Sequence, residues 1–372
     1  MTAFQARVPG QIVLVLQGGG ALGAYQLGVY QALHEAGLEP DWVIGTSIGA
    51  INGAIIAGNR LEDRIVRLRE LWQRVGQAPS FRGWQYWPGM REAFAELLTL
   101  VQGIAGFCSP RASLWGGVQA KVGLERASFY SSEPLRATLC ELVDFRALNA
   151  GRPRLTVGAV HVESGAMCYF DSRRAPLDVE HVMASGALPP GLPAVRVKGE
   201  PYWDGGLYSN TPLEAVLDDN PRRDSLIFSV NVWQQTGHEP ASIWQAVARQ
   251  KDIQYASRAD SHIARQKQIH HLRHVIRELA RRVPEGERNS AEGRELASWG
   301  CHTTMHVVQL LAPQLDGEDY LKDLDFSETG IRCRREAGFA DARRIIERAP
   351  WEAPVDPMEG VIVHELSART GG

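Results

Sequence analysis

The chain has 372 residues with 40 basic and 43 acidic side chains, and its formal net charge of −3 disfavours nucleic acid as a partner. Apolar residues make up 44% and charged residues 22%, values that are typical of a globular protein and exclude a disordered or collagen-like chain. This length corresponds to about two domains and lets the chain bury enough surface to fold without disulfides.

The start of the chain alternates between strands and helices. Residues 11–17 (QIVLVLQ) predict a strand buried on both faces, and residues 18–20 interrupt it with three glycines. A helix is predicted over 21–36, a second strand over 41–45 and a helix of small residues over 47–57. This order predicts a parallel sheet with right-handed crossovers.

An aromatic-rich segment interrupts this pattern. Residues 81–130 hold nine of the 29 aromatic residues, and we interpret them as a cap that binds acyl chains, docks at an interface or forms a small satellite core. Residues 155–162 and 166–171 flank a Glu-Ser-Gly turn and predict a hairpin. Another buried strand is predicted over 225–232 (SLIFSVNV). The alternation of strands and turns ends after this strand, and residues 236–372 are predicted to be mostly helical.

A GxSxG motif, Gly45-Thr46-Ser47-Ile48-Gly49, lies between a predicted strand and a predicted helix. In this context the motif forms a nucleophile elbow, a tight turn that projects the serine hydroxyl from the edge of the sheet. The glycines permit the turn, and the helix that follows directs free N–H groups at the reacting centre. A chance match in a glycine-rich turn is the alternative, but the context predicts that Ser47 is a nucleophile.

A second glycine motif lies at the end of the first predicted strand and comprises Gly18, Gly19, Gly20 and Gly23. Successive glycine N–H groups can converge on one anion, which for a serine nucleophile is the tetrahedral oxyanion. The same residues match GxGxxG, a dinucleotide fingerprint. A dinucleotide site also needs an acidic residue at the carboxyl end of the second strand, whereas Asp41 lies at its beginning. We therefore expect no dinucleotide cofactor.

A third motif, Asp204-Gly205-Gly206, follows a short strand predicted over 201–204. An aspartate that leaves a strand ahead of two glycines can lie beside another loop at the carboxyl edge of the sheet. There it would orient or deprotonate Ser47. Taken alone, the motif fits an ordinary turn equally well.

The order GGGxxG, GxSxG and DGG resembles the patatin-like phospholipases, a family of lipid acyl hydrolases from bacteria, plants and animals. Residues 184–195 (ASGALPPGLPAV) and 204–213 (DGGLYSNTPL) are also similar to that family, and the resemblance covers about residues 9–235. It implies an α/β fold, a three-layer α/β/α sandwich with a mainly parallel central sheet, as the catalytic domain over 1–235. A mostly helical C-terminal extension of unknown role would occupy 236–372.

The same resemblance implies a Ser–Asp dyad without histidine. Ser47 would be the nucleophile and Asp204 its base, and the N–H groups of Gly18, Gly19 and Gly20 would form the oxyanion hole. The implied reaction is hydrolysis of a carboxylic ester of a phospholipid, lysophospholipid or acylglycerol through an acyl-enzyme, without a cofactor.

Two alternatives stay open at this point. Histidine is a common base for a serine nucleophile, and His161 and His181 fall within the same part of the chain. A non-catalytic lipid-binding or scaffold protein with the same fold is the alternative from another class. The glycine motif also departs from the family at Leu22, where a basic residue is common. That change weakens any expectation of an anionic headgroup preference.

The C-terminal part carries a basic helical segment. Residues 258–282 contain seven Lys or Arg and two acidic residues. Such a helix can contact an anionic membrane surface, although a solvated face beside a packed apolar stripe explains the same pattern. His270 with His274, and His302 with His306, have i, i+4 spacing. Because neither an HExxH motif nor a nearby cysteine pair accompanies them, we expect no metal site.

Cysteine usage and the chain start bear on the compartment. The five cysteines are scattered, odd in number and never in a CxxC pair, which favours free thiols in a reducing compartment. The first residues, MTAFQARVPG, lack the apolar core of a signal peptide, and no apolar stretch is long enough to span a bilayer. We expect a cytoplasmic protein that touches membranes only peripherally. Nothing in the sequence indicates an oligomeric state.

Overall fold

The structure is a computed structural model that describes residues 8–76, 103–111, 121–256, 259–315, 318 and 320–365. The predicted aromatic cap over 81–130 lies mostly outside the described residues, which include only 103–111 and 121–130 of it. In the part that is described, no helix is both long enough and apolar enough to cross a bilayer.

The described residues form eleven strands and twelve α-helices. The strands are β1 (Gln11–Leu16), β2 (Trp42–Thr46), β3 (Ser109–Pro110), β4 (Tyr130–Ser131), β5 (Arg154–His161), β6 (Met167–Asp171), β7 (Val195–Val197), β8 (Glu200–Asp204), β9 (Ser225–Asn231), β10 (Met305–Leu311) and β11 (Val361–Glu365). The helices are α1 (Ala24–Glu35), α2 (Ile48–Ala57), α3 (Arg64–Val75), α4 (Glu133–Leu142), α5 (Phe145–Ala150), α6 (Val179–Ser185), α7 (Glu214–Leu217), α8 (Ile243–Tyr255), α9 (Ala259–Arg282), α10 (Glu285–Arg288), α11 (Ala291–Ser298) and α12 (Glu328–Arg348).

A nine-stranded sheet forms the centre, in the order β11-β10-β9-β1-β2-β5-β8-β7, with β6 paired to β5. The six strands from β11 to β5 are mutually parallel, while β6, β7 and β8 pair antiparallel with their neighbours. The predicted α/β fold with a mainly parallel sheet is therefore confirmed. Strands β1, β2, β5 and β9 are buried along almost their whole length, as their β-branched runs predict.

Two apolar cores lie on opposite faces of this sheet, because successive side chains of a strand point to opposite sides. Leu14 and Val43 belong to the larger core, which also holds apolar side chains of α1, α2, α3 and α12. Val13 and Ile44 belong to the smaller core, which α7 and α9 cover. The helices on both faces complete the three layers that the sequence predicts.

The C-terminal segment continues the same sheet. Strand β10 pairs with β9 over residues 305–311, and β11 pairs with β10 over 361–365. Helix α12 packs against α1, and the buried Tyr25 hydroxyl of α1 donates a 3.0 Å hydrogen bond to Asp341 of α12. The domain boundary expected near residue 235 stays a prediction, and the sheet extends across it.

Two glycines allow α1 and α12 to approach so closely. A Cβ at Gly28 of α1 would lie 1.9 Å from the Arg335 carbonyl oxygen, and a Cβ at Gly338 of α12 would lie 2.1 Å from the Tyr25 carbonyl oxygen. Both contacts involve main-chain atoms of the facing helix, which cannot move aside as a flexible side chain can.

We predict that Gly28→Ala separates α1 from α12 and lowers the free energy of unfolding by about 1–3 kcal/mol, as overpacked cores do. Urea denaturation monitored by circular dichroism measures this loss. The matched control is Gly286→Ala, since nothing lies within 4 Å of a Cβ at that helical position. Equal stability of Gly28→Ala and the wild type would contradict the packing described for these helices.

Candidate active site

Ser47 occupies a strained turn between β2 and α2. Its φ of 56° and ψ of −126° lie in a region that side-chain-bearing residues rarely adopt and that costs about 1–3 kcal/mol. The flanking glycines make the turn possible. A Cβ at Gly45 would lie 2.3 Å from the Gly49 carbonyl oxygen, and a Cβ at Gly49 would lie 2.2 Å from the Leu16 carbonyl oxygen. The predicted elbow is therefore present at Ser47.

A buried hydroxyl fixes this elbow to the sheet. The Ser47 N–H donates a 3.1 Å hydrogen bond to the Ser185 hydroxyl, which in turn donates a 2.6 Å bond to the Gly158 carbonyl of β5. Ser185 ends α6 and is fully buried. We did not single out Ser185 from the sequence, although it lies within the 184–195 segment that resembles the family.

The register of β5 brings Asp204 beside the elbow. Gly158 pairs with Tyr169 of β6 on one edge and with Thr46 of β2 on the other. The next residue, Ala159, pairs with β6 in the same way, and its opposite edge is taken by Asp204 of β8. Strands β2 and β8 therefore share one edge of β5: β2 pairs with it up to Gly158, and β8 pairs with it from Ala159 onward. Asp204 and Ser47 therefore become neighbours although the sequence separates them widely.

The Asp204 carboxyl is buried away from solvent. It is 1% exposed, and it accepts a 2.7 Å hydrogen bond from the Gly206 N–H. Burial raises the pKa of this carboxyl from 3.8 to about 7, while the nearby Ser47 side chain and the Gly206 N–H partly oppose that rise. A carboxyl with such a pKa can exchange a proton with the serine near neutral pH.

The glycine loop after β1 lies against the same serine. A Cβ at Gly18 would lie 3.0 Å from the Ser47 Cβ. The Gly18 N–H donates to the Asn210 carbonyl at 3.1 Å, and the Gly18 carbonyl accepts from the Asn210 side-chain amide and from the Trp233 indole N–H at 3.0 and 2.8 Å. Gly18 therefore differs from the expectation that its N–H is open to an oxyanion.

The next two glycines keep their donors open. Within the described residues, no acceptor takes a hydrogen bond from the N–H of Gly19 or Gly20. Gly20 has a φ of 53°, the left-handed conformation that glycine adopts without strain. Gly19 and Gly20 remain as the candidate oxyanion donors.

The remaining motif glycines serve close packing around the site. A Cβ at Gly23 would lie 2.6 Å from Ile48, the residue after the serine. A Cβ at Gly205 would lie 2.5 Å from the Gly158 carbonyl oxygen, and Gly206 supplies the N–H that binds Asp204. These positions shape the site through contact distances.

Helix α8 and a loop near residue 323 support the glycine loop from the C-terminal segment. The Asp323 carbonyl accepts a 2.8 Å hydrogen bond from the Ala21 N–H, and the Asp323 carboxylate forms a 2.7 Å ion pair with Lys251 of α8. The Tyr255 carbonyl at the end of α8 accepts from the Asn210 side-chain amide at 2.8 Å. The sequence motifs carried no sign of these contacts, because they join residues that are between 45 and about 300 positions apart.

The two histidines considered for a triad have partners elsewhere. His161 lies between Ser164 and Glu200, at 2.9 and 3.2 Å from its two ring nitrogens. His181 forms the capping box of α6 with Asp178, and its ring packs edge-on against Phe170. Neither ring is hydrogen-bonded to Ser47 or Asp204.

The described residues hold no group of three or more His, Cys, Asp or Glu side chains arranged to bind a metal ion. His270 and His274 lie on α9, and His306 lies on β10 with its ring stacked on that of His364. All three belong to the opposite end of the sheet from Ser47, since β10 and β11 run parallel to β2 and begin near these residues.

Comparison with known families gives two matches. Residues 14–217 match the model described as patatin-like phospholipase, and residues 253–358 match a model described as patatin phospholipase. Among solved structures, VipD from Legionella pneumophila has a TM-score of 0.40 at 15% identity and covers 92% of this chain and 67% of its own. The type III effector ExoU has a TM-score of 0.34 at 14% identity and covers 92% of this chain and 53% of its own.

Curated relatives match over short segments. The human patatin-like phospholipase domain-containing protein 6 is 46% identical over 63 residues, 17% of this chain and 5% of that protein. Lysophospholipase nte1 of Aspergillus terreus is 61% identical over 44 residues, 12% of this chain and 3% of that protein. Triacylglycerol lipase ptl3 of Schizosaccharomyces pombe is 41% identical over 61 residues, 16% of this chain and 13% of that protein. The chain thus spans a small part of the length of these relatives. Because the first family model covers more than half of the chain, the chain belongs to the patatin-like phospholipase family.

Proposed function

We propose that this protein is a serine lipid acyl hydrolase that cleaves carboxylic esters through an acyl-enzyme on a Ser47–Asp204 dyad. The observation that carries the proposal is the position of a serine in a strained elbow beside a buried carboxyl whose pKa burial raises to about 7. A carboxylate alone can serve as base here, because its affinity for a proton is far above that of an exposed aspartate.

The reaction follows from the positions of these groups. The Ser47 oxygen attacks the ester carbonyl carbon while its proton passes to the Asp204 carboxylate. The carbonyl oxygen becomes an anion that the N–H groups of Gly19 and Gly20 stabilise, with the positive end of α2 nearby. The carbon–oxygen bond to the alcohol breaks, and Asp204 returns the proton to that leaving oxygen.

Hydrolysis of the acyl-enzyme repeats the same steps with water. Asp204 accepts a proton from the attacking water, whose oxygen forms the new bond to the acyl carbon. The tetrahedral anion again lies against the glycine loop, and its collapse returns the proton to Ser47. The fatty acid leaves, and both residues regain their starting protonation.

The substrate class is a lipid ester: a phospholipid, a lysophospholipid or an acylglycerol. Family membership supports it, as do relatives whose names specify a lysophospholipase and a triacylglycerol lipase. Exposed apolar side chains near the dyad suit an apolar substrate, because Leu207 and Tyr208, three and four residues after Asp204, are 42% and 64% exposed. Trp244 and Ile253 on α8 are also exposed, which fits peripheral contact with a lipid surface.

Labelling with a fluorophosphonate probe tests the dyad. We expect covalent labelling of the wild type, none of Ser47→Ala, and a loss of roughly 100-fold or more in labelling rate for Asp204→Asn, because the base is gone. His161→Ala and His181→Ala are the matched controls and should label like the wild type. Loss of labelling in either histidine variant with retention in Asp204→Asn would favour a triad. Absence of labelling in the wild type would favour the non-catalytic lipid-binding or scaffold protein.

We predict that activity depends on the ionisation of Asp204. Since this carboxyl has a pKa of about 7 and acts as a base only when ionised, kcat/KM should rise with pH through a midpoint near 7. Below that midpoint it should fall about tenfold per pH unit. Hydrolysis of p-nitrophenyl butyrate over roughly pH 5 to 9 measures the profile. A midpoint near 4, the ordinary value for aspartate, would show that burial of Asp204 does not govern the reaction.

We predict that Lys251 is a positioning residue that acts through Asp323 on the glycine loop. Lys251→Met removes the ion pair with Asp323, and we expect kcat to fall roughly tenfold with KM for a short-chain ester little changed, because only the oxyanion donors are displaced. Lys251→Arg keeps the charge and should restore most of kcat. Lys267→Met changes an exposed lysine of α9 and is the control. A parallel change in kcat and thermal stability without rescue by arginine would indicate a merely structural role.

A further inference from the structure

A cluster of buried polar atoms without hydrogen-bond partners lies at the end of the sheet away from Ser47. It includes Arg222 in the loop before β9, and Gln266, His270 and Arg273 on α9. Gly360, directly before β11, lies against it, because a Cβ there would be 3.1 Å from the His270 Nδ1 atom. Strands β9 and β11 run parallel to β2. Ser47 follows the carboxyl end of β2, whereas this cluster lies by the amino ends of β9 and β11, at the opposite end of the sheet.

The three α9 residues form one face of that helix. Positions 266, 270 and 273 are spaced i, i+4 and i+7, which places their side chains above one another. His270 is fully buried and Gln266 is 5% exposed. The helix face therefore presents polar groups inward, where an amphipathic helix normally presents apolar side chains.

The unsatisfied atoms are donors and acceptors of several kinds. They are Arg222 Nε, Arg273 NH1, both ring nitrogens of His270, and the Gln266 side-chain oxygen. Arg334 and Arg344 also have an unpaired Nε, but their other nitrogens form ion pairs with Glu318, Asp325 and Asp341. Among the described residues, neither Arg222 nor Arg273 forms an ion pair or a side-chain hydrogen bond. This distinguishes them from the other buried guanidinium groups.

The charges in the cluster are unbalanced. Arg222 lies close enough to Arg273 to lower its pKa, after burial, the larger cause. Cys301 and then Asp218 act on the pKa of Arg273 in the opposite direction. The Asp218 carboxylate accepts a 2.6 Å hydrogen bond from the Gln266 amide and lies beyond ion-pair distance of either arginine. Two guanidinium groups without a counter-ion repel each other in a poorly solvated site.

His270 does not add positive charge to the cluster. The pKa of His270 is lowered to about 4, mainly by burial and then by the nearby charges of Arg273 and Arg222, while the Leu217 carbonyl acts in the opposite direction. His274 is held between the carbonyls of Pro357 and Thr303, at 3.0 and 3.2 Å. At neutral pH His270 is a neutral ring that can donate one hydrogen bond to a ligand.

We propose that Arg222, Arg273, His270 and Gln266 form a binding site for a phosphate-type oxyanion. Such an anion supplies the missing counter-charge to both guanidinium groups and the acceptors that their N–H groups and the His270 N–H lack. Guanidinium groups bind phosphate oxygens in a planar, two-pronged geometry, which makes phosphate a better partner than a halide ion. The site lies apart from the proposed catalytic centre and does not depend on its chemistry.

The phosphate group has two possible sources, a free anion or the headgroup of an anionic lipid. Both arginines are only partly buried, so the site opens to solvent at that side. The last turn of α9 carries Arg281 and Arg282, and this basic end of the helix suits a headgroup presented by a membrane. The chemistry of the site is the same for both sources, and the experiment separates them.

Thermal unfolding of the full chain measures binding of the free anion. At equal ionic strength, inorganic phosphate should raise the Tm above its value in chloride by roughly 2–4 °C when the site is mostly filled. Arg273→Gln and Arg222→Gln should abolish this difference, and their Tm in chloride should equal or exceed that of the wild type, because the repulsion is relieved. Arg277→Gln, one helical turn further along α9, is the control and should keep the phosphate effect.

Cosedimentation with vesicles identifies the source. Binding to phosphatidylcholine vesicles that contain phosphatidate, lost in Arg273→Gln and kept in Arg277→Gln, assigns the lipid headgroup. A phosphate-dependent Tm rise without such cosedimentation assigns the free anion. The proposal is overturned if neither effect occurs, or if both effects persist in the Arg222 and Arg273 variants.

Discussion

The candidate site depends on the way two strands, β2 and β8, pair with β5 along the same edge. Strand β2 occupies that edge as far as Thr46 and then turns into the elbow, and β8 takes the next position with Asp204. A shift of one residue in either pairing would turn the aspartate side chain to the other face of the sheet. Ser185 reinforces the same place, because its hydroxyl joins the Ser47 N–H to the Gly158 carbonyl. Backbone pairing, rather than side-chain flexibility, therefore sets the distance between the two groups.

Much of this arrangement could be predicted from local sequence. The apolar run before Gly18 and the GxSxG context of Ser47 identified two parallel strands and the elbow, because these signals depend on residues adjacent in the chain. The role of Asp204 came from resemblance to a family, since a turn aspartate has no local mark of its partner. Neither the local pattern nor the resemblance contained the pKa of the Asp204 carboxyl, which burial raises to about 7.

Other features depend on contacts that no local pattern encodes. The Asn210 carbonyl accepts a hydrogen bond from the Gly18 N–H across about 190 positions of the chain. The Asp323 carbonyl accepts one from the Ala21 N–H across about 300 positions. Arg273 belonged to the basic segment over 258–282 that the sequence analysis interpreted as a solvated face or a membrane contact, because sequence shows charge but not the absence of a partner. The glycine motif therefore predicts where the loop lies, but long-range packing determines which of its N–H groups remain free.

The support that Asp323 gives to the glycine loop has a consequence for synthesis. The nucleophile elbow lies within the first 50 residues, whereas the loop that holds Ala21 emerges near residue 323. A ribosome-bound chain therefore carries Ser47 long before its glycine loop can take its final shape, and contacts of such high sequence separation form late. An incomplete chain is thereby kept from reaching the finished arrangement, so the candidate site is completed only after residue 323 has been made.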